Sequence, residues 1–166
     1  MSIADALLPE FDREMGVTRR LLERVPDGQF EWRPHPKSMT LGRLAEHLAE
    51  LPQWLGATVL QDSIDMESPR PDGYQSPATR AAVLSMFDAN AAAARAALAG
   101  RTDAELMAPW TLLKGGQTIF TMPKAAVVRS FVMNHIVHHR GQMSVYLRMH
   151  DVPLPSFYGP SADERM

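Results

Sequence analysis

A four-helix bundle is the fold this sequence predicts: an all-α chain with a short hairpin or irregular insert before its last helix. Three observations carry that reading. Four segments of about five or six turns each repeat apolar residues at helical spacing. Only the run from Trp110 to Met122 breaks that pattern with β-prone residues. The chain has 166 residues with 45% apolar content, enough to close one core, and shows no internal repeat. Residues 1–166 therefore read as a single domain.

The first helix is expected from about Ser2 to Val25, with Ile3, Leu7, Phe11, Met15, Leu22 and Val25 on one stripe and Thr18 in its gap. Pro9 either bends this helix or marks its proper first turn. "PDG" at Pro26–Gly28 ends it, and "FEWRPHPKS" follows as an irregular connection. The second helix begins near Thr40, a suitable N-cap. Leu41, Leu44, Leu48, Leu51, Leu55 and Val59 give the cleanest periodicity in the chain, and Pro52 should bend it.

"SPRPDGYQSP", Ser68–Pro77, reads as a surface loop. The third helix then takes Ser76 as N-cap and Pro77 as first residue, with Leu84, Phe87, Ala91, Ala94 and Leu98 inward and Gly100 beyond its end. "TDAE", Thr102–Glu105, has capping-box form. "WTLLKGGQTIFTM" reads as a hairpin about Gly115 and Gly116. The last helix runs from about Pro123 to His150, with Val128, Phe131, Val132, His135, His139, Gln142 and Tyr146 along one side. An extended tail with three prolines closes the chain.

Composition excludes several functions. Charged residues make up 22%, the net charge is −2, and no basic block offers a nucleic-acid footprint. No apolar run reaches the roughly 18 residues of a membrane span. The N-terminus lacks the basic flank of a signal peptide, so the cytoplasm is expected. There is no cysteine, hence no disulfide, no thiolate nucleophile and no sulfur ligand. The 11 methionines read as adaptable core filler.

Three of the six histidines fall in "NHIVHHRGQ", Asn134–Gln142. On a helix His139 lies about 40° round from His135, and His138 about 60° the other way. His135 and His139 can therefore converge on one ion, while His138 flanks them. A third ligand must come from elsewhere. His47, at the edge of the second helix's leucine stripe, is the candidate, since bundles build metal sites from facing helices. The competing reading is a solvated cluster of stacked imidazoles, and for His47 alone a hydrogen-bonded residue at the core edge. His35, between two prolines, reads as surface, and His150 as a cation at a helix C-terminus.

The layout resembles the DinB (damage-inducible) family, in one superfamily with the YfiT-like proteins. "LGRLAEHLAEL" on the second helix and the terminal "HHRGQ", "YLR" and "YGPSADE" carry the resemblance, which covers essentially the whole chain. It implies a four-helix bundle holding one divalent metal through a histidine of the second helix and two of the fourth, here His47, His135 and His139. Some family members are thiol-dependent S-transferases, one a mycothiol-dependent isomerase, and many have no assigned activity.

Three neutral imidazoles leave an ion with open positions, the arrangement of a catalytic rather than a closed structural site. Zinc or nickel is expected first, with iron, copper or manganese behind them. The thiol, absent from the chain, would be a small co-substrate such as bacillithiol, mycothiol or glutathione. A thiol S-transferase acting on a small molecule leads; a metal-dependent hydrolase and a non-catalytic, stress-associated metal-binding protein are the alternatives.

Around the site, Gln142 shares the ligand face and can touch metal-bound water or substrate, or else serve a core hydrogen bond. Glu50 can orient His47 but reads as a solvated acid. Arg140 points about 140° away from the ligand direction and reads as structural or interfacial. Gly141 suggests close approach of another segment, such as the tail. Trp32, Trp54 and Trp110 are candidates to line a pocket or simply fill the core. Tyr158 is placed to fold back over the bundle, and Asp163 reads as solvated. The alanine-rich third helix offers a flat face for a homodimer.

Overall fold

The computed structural model describes residues 1–165. Helix α1, Ile3–Leu22, opens with a reciprocal capping box between Ser2 and Asp5. That box starts the helix upstream of Pro9, which the helix simply carries within its length. It ends at Leu22, short of Val25, although Val25 is fully buried. A single 3₁₀ turn, Asp27–Gln29, leads toward helix α2, Leu41–Leu60. Thr40 caps α2 by accepting from the Arg43 amide, and the helix runs through Pro52 without a break in its span. Leu41, Leu44, Leu48, Leu51, Leu55 and Val59 are all buried, as the leucine spacing predicts.

Helix α3, Arg80–Leu98, starts later than expected. Its cap is Thr79, which accepts from the Ala82 amide. Ser76 cannot serve, because its hydroxyl donates to Glu46 at 2.8 Å, and Asp27 takes the Arg80 amide at 2.6 Å. Helix α4, Asp103–Met107, carries the expected capping box between Thr102 and Glu105.

The expectation of an all-α chain is corrected by a three-stranded sheet. Strand β1, Ser63–Asp65, lies parallel to β2, Pro109–Lys114, which pairs antiparallel with β3, Gln117–Pro123. The β2–β3 hairpin is the one predicted. Its turn needs glycine, because Gly115 and Gly116 have φ of 56° and 76°. The Asp65 carboxylate accepts from both their amides, at 2.9 and 2.7 Å, and so ties β1 to the turn. Trp110 and Leu112 pack with Val127 as a small second core beneath the sheet.

The last helix is also interrupted. It comprises α5, Lys124–Val127, a π-helical stretch Val128–Met133, and α6, Asn134–Arg148. The Asn134 amide donates to Arg129, five residues back. This wider turn re-aims the residues before it. Val128 and Val132 are fully buried, whereas Phe131 is 36% exposed. Beyond it the core side of α6 is Ile136, Arg140, Met143 and Leu147, all buried. The chain's main core joins α1, α2, α3 and α6, with α2 packed most extensively on α3. Among the described residues no helix is long and apolar enough to cross a membrane.

Candidate metal centre

His47 from α2 meets His135 and His139 from α6 at the seam between the two helices. One ring nitrogen from each lies within 4.8 Å of the others. The His135 and His139 Nε2 atoms are 2.8 Å apart, and those of His47 and His135 are 3.4 Å apart. An ion about 2.0–2.1 Å from each nitrogen places ligand nitrogens roughly 2.8–3.4 Å apart between right-angled and tetrahedral arrangements. The two separations match that range.

The outer edge sets the tautomer of His139. Its Nδ1 donates to the Gln142 side-chain oxygen at 2.7 Å, which leaves its Nε2 as a lone pair. His135 Nε2 faces that lone pair at 2.8 Å. A neutral His135 can donate an N–H to it or turn its own lone pair toward a shared cation. The Gln142 bond on the outer nitrogen of His139 is the pattern that accompanies metal-ligating histidine.

Burial makes the rings good ligands near neutrality. His139 is 7% exposed, and burial, with the charges of His47, His135 and His138, pushes its pKa down to about 4 against the opposing bond to Gln142. Burial also lowers His135, as does His47 beside it. Their lone pairs are therefore not competed away by protons at pH 7.

His138 is exposed and stands outside the cluster, with its ring 4.8 Å from that of His139, as the helical rotation predicts. His35 is exposed. His150 is not simply a cation at a helix end. Its ring lies 4.3 Å from that of Trp32, and its buried Nε2 has no hydrogen-bond partner among the described residues. Gln142 is brought to the site, but its oxygen is used on His139.

Glu50 is not a solvated acid. Its side chain is 19% exposed, and Oε2 stands 3.8 Å from His47 Nδ1. Burial raises its pKa, but His47, Arg43, Arg70 and Tyr74 outweigh that and hold it at about 2. The sequence names Glu50 as able to orient His47 but favours a solvated acid, because Arg70 and Tyr74 come from the Pro-rich loop, whose docking leaves no periodic signal.

Arg140 is structural, as its rotation implies. It pairs with Glu14 at 2.6 Å, with side chains 3% and 7% exposed. Tyr158 folds back as expected and donates to the same Glu14 oxygen at 2.7 Å. Asp163 is exposed, as expected, and in addition pairs with Arg148 and accepts from the Leu154 amide at 2.8 Å. Gly141 meets no approaching segment, since a Cβ built there has no neighbour within 4 Å, and nothing in the structure explains it. The tryptophans do not form one pocket. Trp110 is fully buried under the sheet with Trp54 against it, while Trp32 packs on Tyr146 at the other end of the site.

Comparison with known proteins agrees with this layout. The DinB family model matches residues 1–165. The uncharacterised protein YrdA of Bacillus subtilis is 27% identical over 161 residues, covering 96% of this chain and 90% of its own. A DinB-like protein of Bacillus cereus has the same fold with a TM-score of 0.71 and 24% identity, covering 93% of this chain and 97% of its own. YjoA, a DinB-like protein of B. subtilis, has a TM-score of 0.71 at 16% identity, covering 92% and 97%.

Proposed function

The chain belongs to the DinB family, and on that premise we propose that it binds one divalent metal ion through His47, His135 and His139 and uses it as an enzyme, most concretely a thiol-dependent S-transferase. The observation that carries the metal reading is the convergence of one ring nitrogen from each histidine, with Gln142 holding the far side of His139. Held by three neutral ligands, a zinc or nickel ion would keep open positions and lower the pKa of a coordinated thiol or water. The ion supplies the acidity, and the chain supplies its placement.

The protein's own residues support a small-molecule site. His47 and His135 are only partly buried, so the cluster is not sealed inside the core. Phe131, one turn before His135, packs on Phe120 with ring centroids 4.7 Å apart and offers an apolar platform beside the triad. With no cysteine in the chain, a reacting sulfur must arrive with a co-substrate such as bacillithiol, mycothiol or glutathione.

The test is conjugation of each thiol to monochlorobimane by the metal-loaded protein. The thiol sulfur displaces chloride, forming a C–S bond and releasing a proton and chloride. Conjugation that needs the metal and one particular thiol supports the transferase. Metal binding with no conjugation points to the hydrolase or to the non-catalytic binder, which ester hydrolysis by the same preparation then separates. The homodimer reading rests on the exposed Ala82, Ala89, Ala93 and Ala96 of α3, and light scattering tests it.

A further inference from the structure

A polar cluster outside the three histidines connects them to the loop between β1 and α3. Glu50 sits one turn after His47 on α2, with its carboxylate toward the outer nitrogen of that ring. The carboxylate is fixed by two arginines. Arg43 reaches Oε2 at 3.1 Å and Arg70 reaches Oε1 at 3.1 Å, while the Tyr74 hydroxyl gives its one proton to Glu46 at 2.6 Å and lies 3.1 Å from Oε1. Arg70 and Tyr74 belong to the loop, and both also hold Glu46, at 3.2 and 2.6 Å. Ser76 donates to the same Glu46 oxygen, whose side chain is 3% exposed. The loop is therefore fastened to α2 at two carboxylates, and only one of them faces a histidine.

The charges explain the division of labour. Two arginines and two glutamates balance, so the cluster carries no excess charge with which to hold a separate anion. Glu46 is buried under four donors and has no path to the triad. Glu50 keeps one oxygen turned to His47. That oxygen is 3.8 Å from His47 Nδ1, on the same outer side that Gln142 serves in His139 at 2.7 Å.

We propose that Glu50 is the positioning residue for His47, and that Arg70, stacked on the Tyr74 ring, makes the loop between β1 and α3 part of the metal centre by holding Glu50 in place. This inference rests on the metal reading. Glu50 would fix the His47 ring and its tautomer, and its negative charge would raise the basicity of the inner nitrogen toward a dication. The loop would then set metal affinity without supplying a ligand.

Zinc affinity is measured by chelator competition on the full chain, with a thermal melt of each metal-free variant as the fold control. Glu50→Gln is expected to bind roughly 10- to 100-fold more weakly. Its fold should survive, because Arg43 and Arg70 retain Glu46. Arg70→Gln should weaken binding less, and the double variant E50Q/R70Q should bind no more weakly than E50Q alone, since Arg70 acts through Glu50. Wild-type affinity in a folded Glu50→Gln protein overturns the proposal, as does full additivity of the two changes. Should Glu50→Gln not fold, the Arg70→Gln result decides: unchanged affinity overturns the role of the loop. A wild-type protein that binds no divalent ion removes the metal reading itself, a separate and distinguishable failure.

Discussion

His139 and Arg140 are neighbours in sequence and both buried, 7% and 2% exposed, yet their surroundings are opposite. Both terminal nitrogens of Arg140 are met: Glu14 takes the ion pair, the Glu14 carbonyl and Thr18 hydroxyl each accept at 3.3 Å, and Tyr158 closes over them. His139 has one nitrogen satisfied and the other pointed at two more imidazoles. Burial alone therefore does not mark function. A paired buried charge holds α1, α6 and the tail together, whereas the three converging ring nitrogens carry the metal site proposed above.

The largest effect should come from breaking the paired side. Arg140→Ala strands the Glu14 carboxylate and should cost roughly 3–5 kcal/mol of stability, read by chemical denaturation. Zinc affinity of the molecules that remain folded should be unchanged. A loss of affinity in the folded fraction would merge the two regions that the geometry separates.

Acid should act on the histidine side. His139 and His135 have pKa values lowered by burial, so between about pH 6.5 and 4 the unfolded chain binds protons that the metal-free native state refuses. Metal-free stability should thus fall as pH falls through that window, more than in a His139→Gln variant. Equal slopes would remove the buried neutral ring from the account.

Gln142→Ala should lower zinc affinity roughly tenfold by releasing His139 Nδ1, with little change in the melting of metal-free protein. The smallest effect is on the exposed side of the same helix. Gly141→Ala should stabilise the protein by up to about 1 kcal/mol, since the added methyl meets nothing and helix propensity improves.

Much of this was legible in the sequence. The leucine spacing of α2, the hairpin glycines and the paired histidines each report a local periodicity or turn requirement, which survives tertiary packing. The rotation separating His139 from His138 and Arg140 is equally local. What was missed depends on distant partners. Strand β1 has three residues and exists because β2 lies beside it. Thr79 caps α3 because Glu46 has claimed Ser76. The π-helical stretch before α6 defeats a single 3.6-residue period, and so Phe131, placed on one side with Val128 and Val132, is exposed while they are buried. Glu50 read as solvated because nothing near it in sequence reveals Arg70 and Tyr74.

The most direct test is metal content and affinity of the wild-type protein beside His47→Ala, His135→Ala, His139→Ala and the exposed neighbour His138→Ala. The wild type should bind one divalent ion per chain. Each change within the triad should weaken binding by at least about 100-fold, consistent with losing one of three ligands, while His138→Ala should bind as the wild type does. Undiminished binding in the three triad variants, or loss in His138→Ala alone, would contradict the assignment.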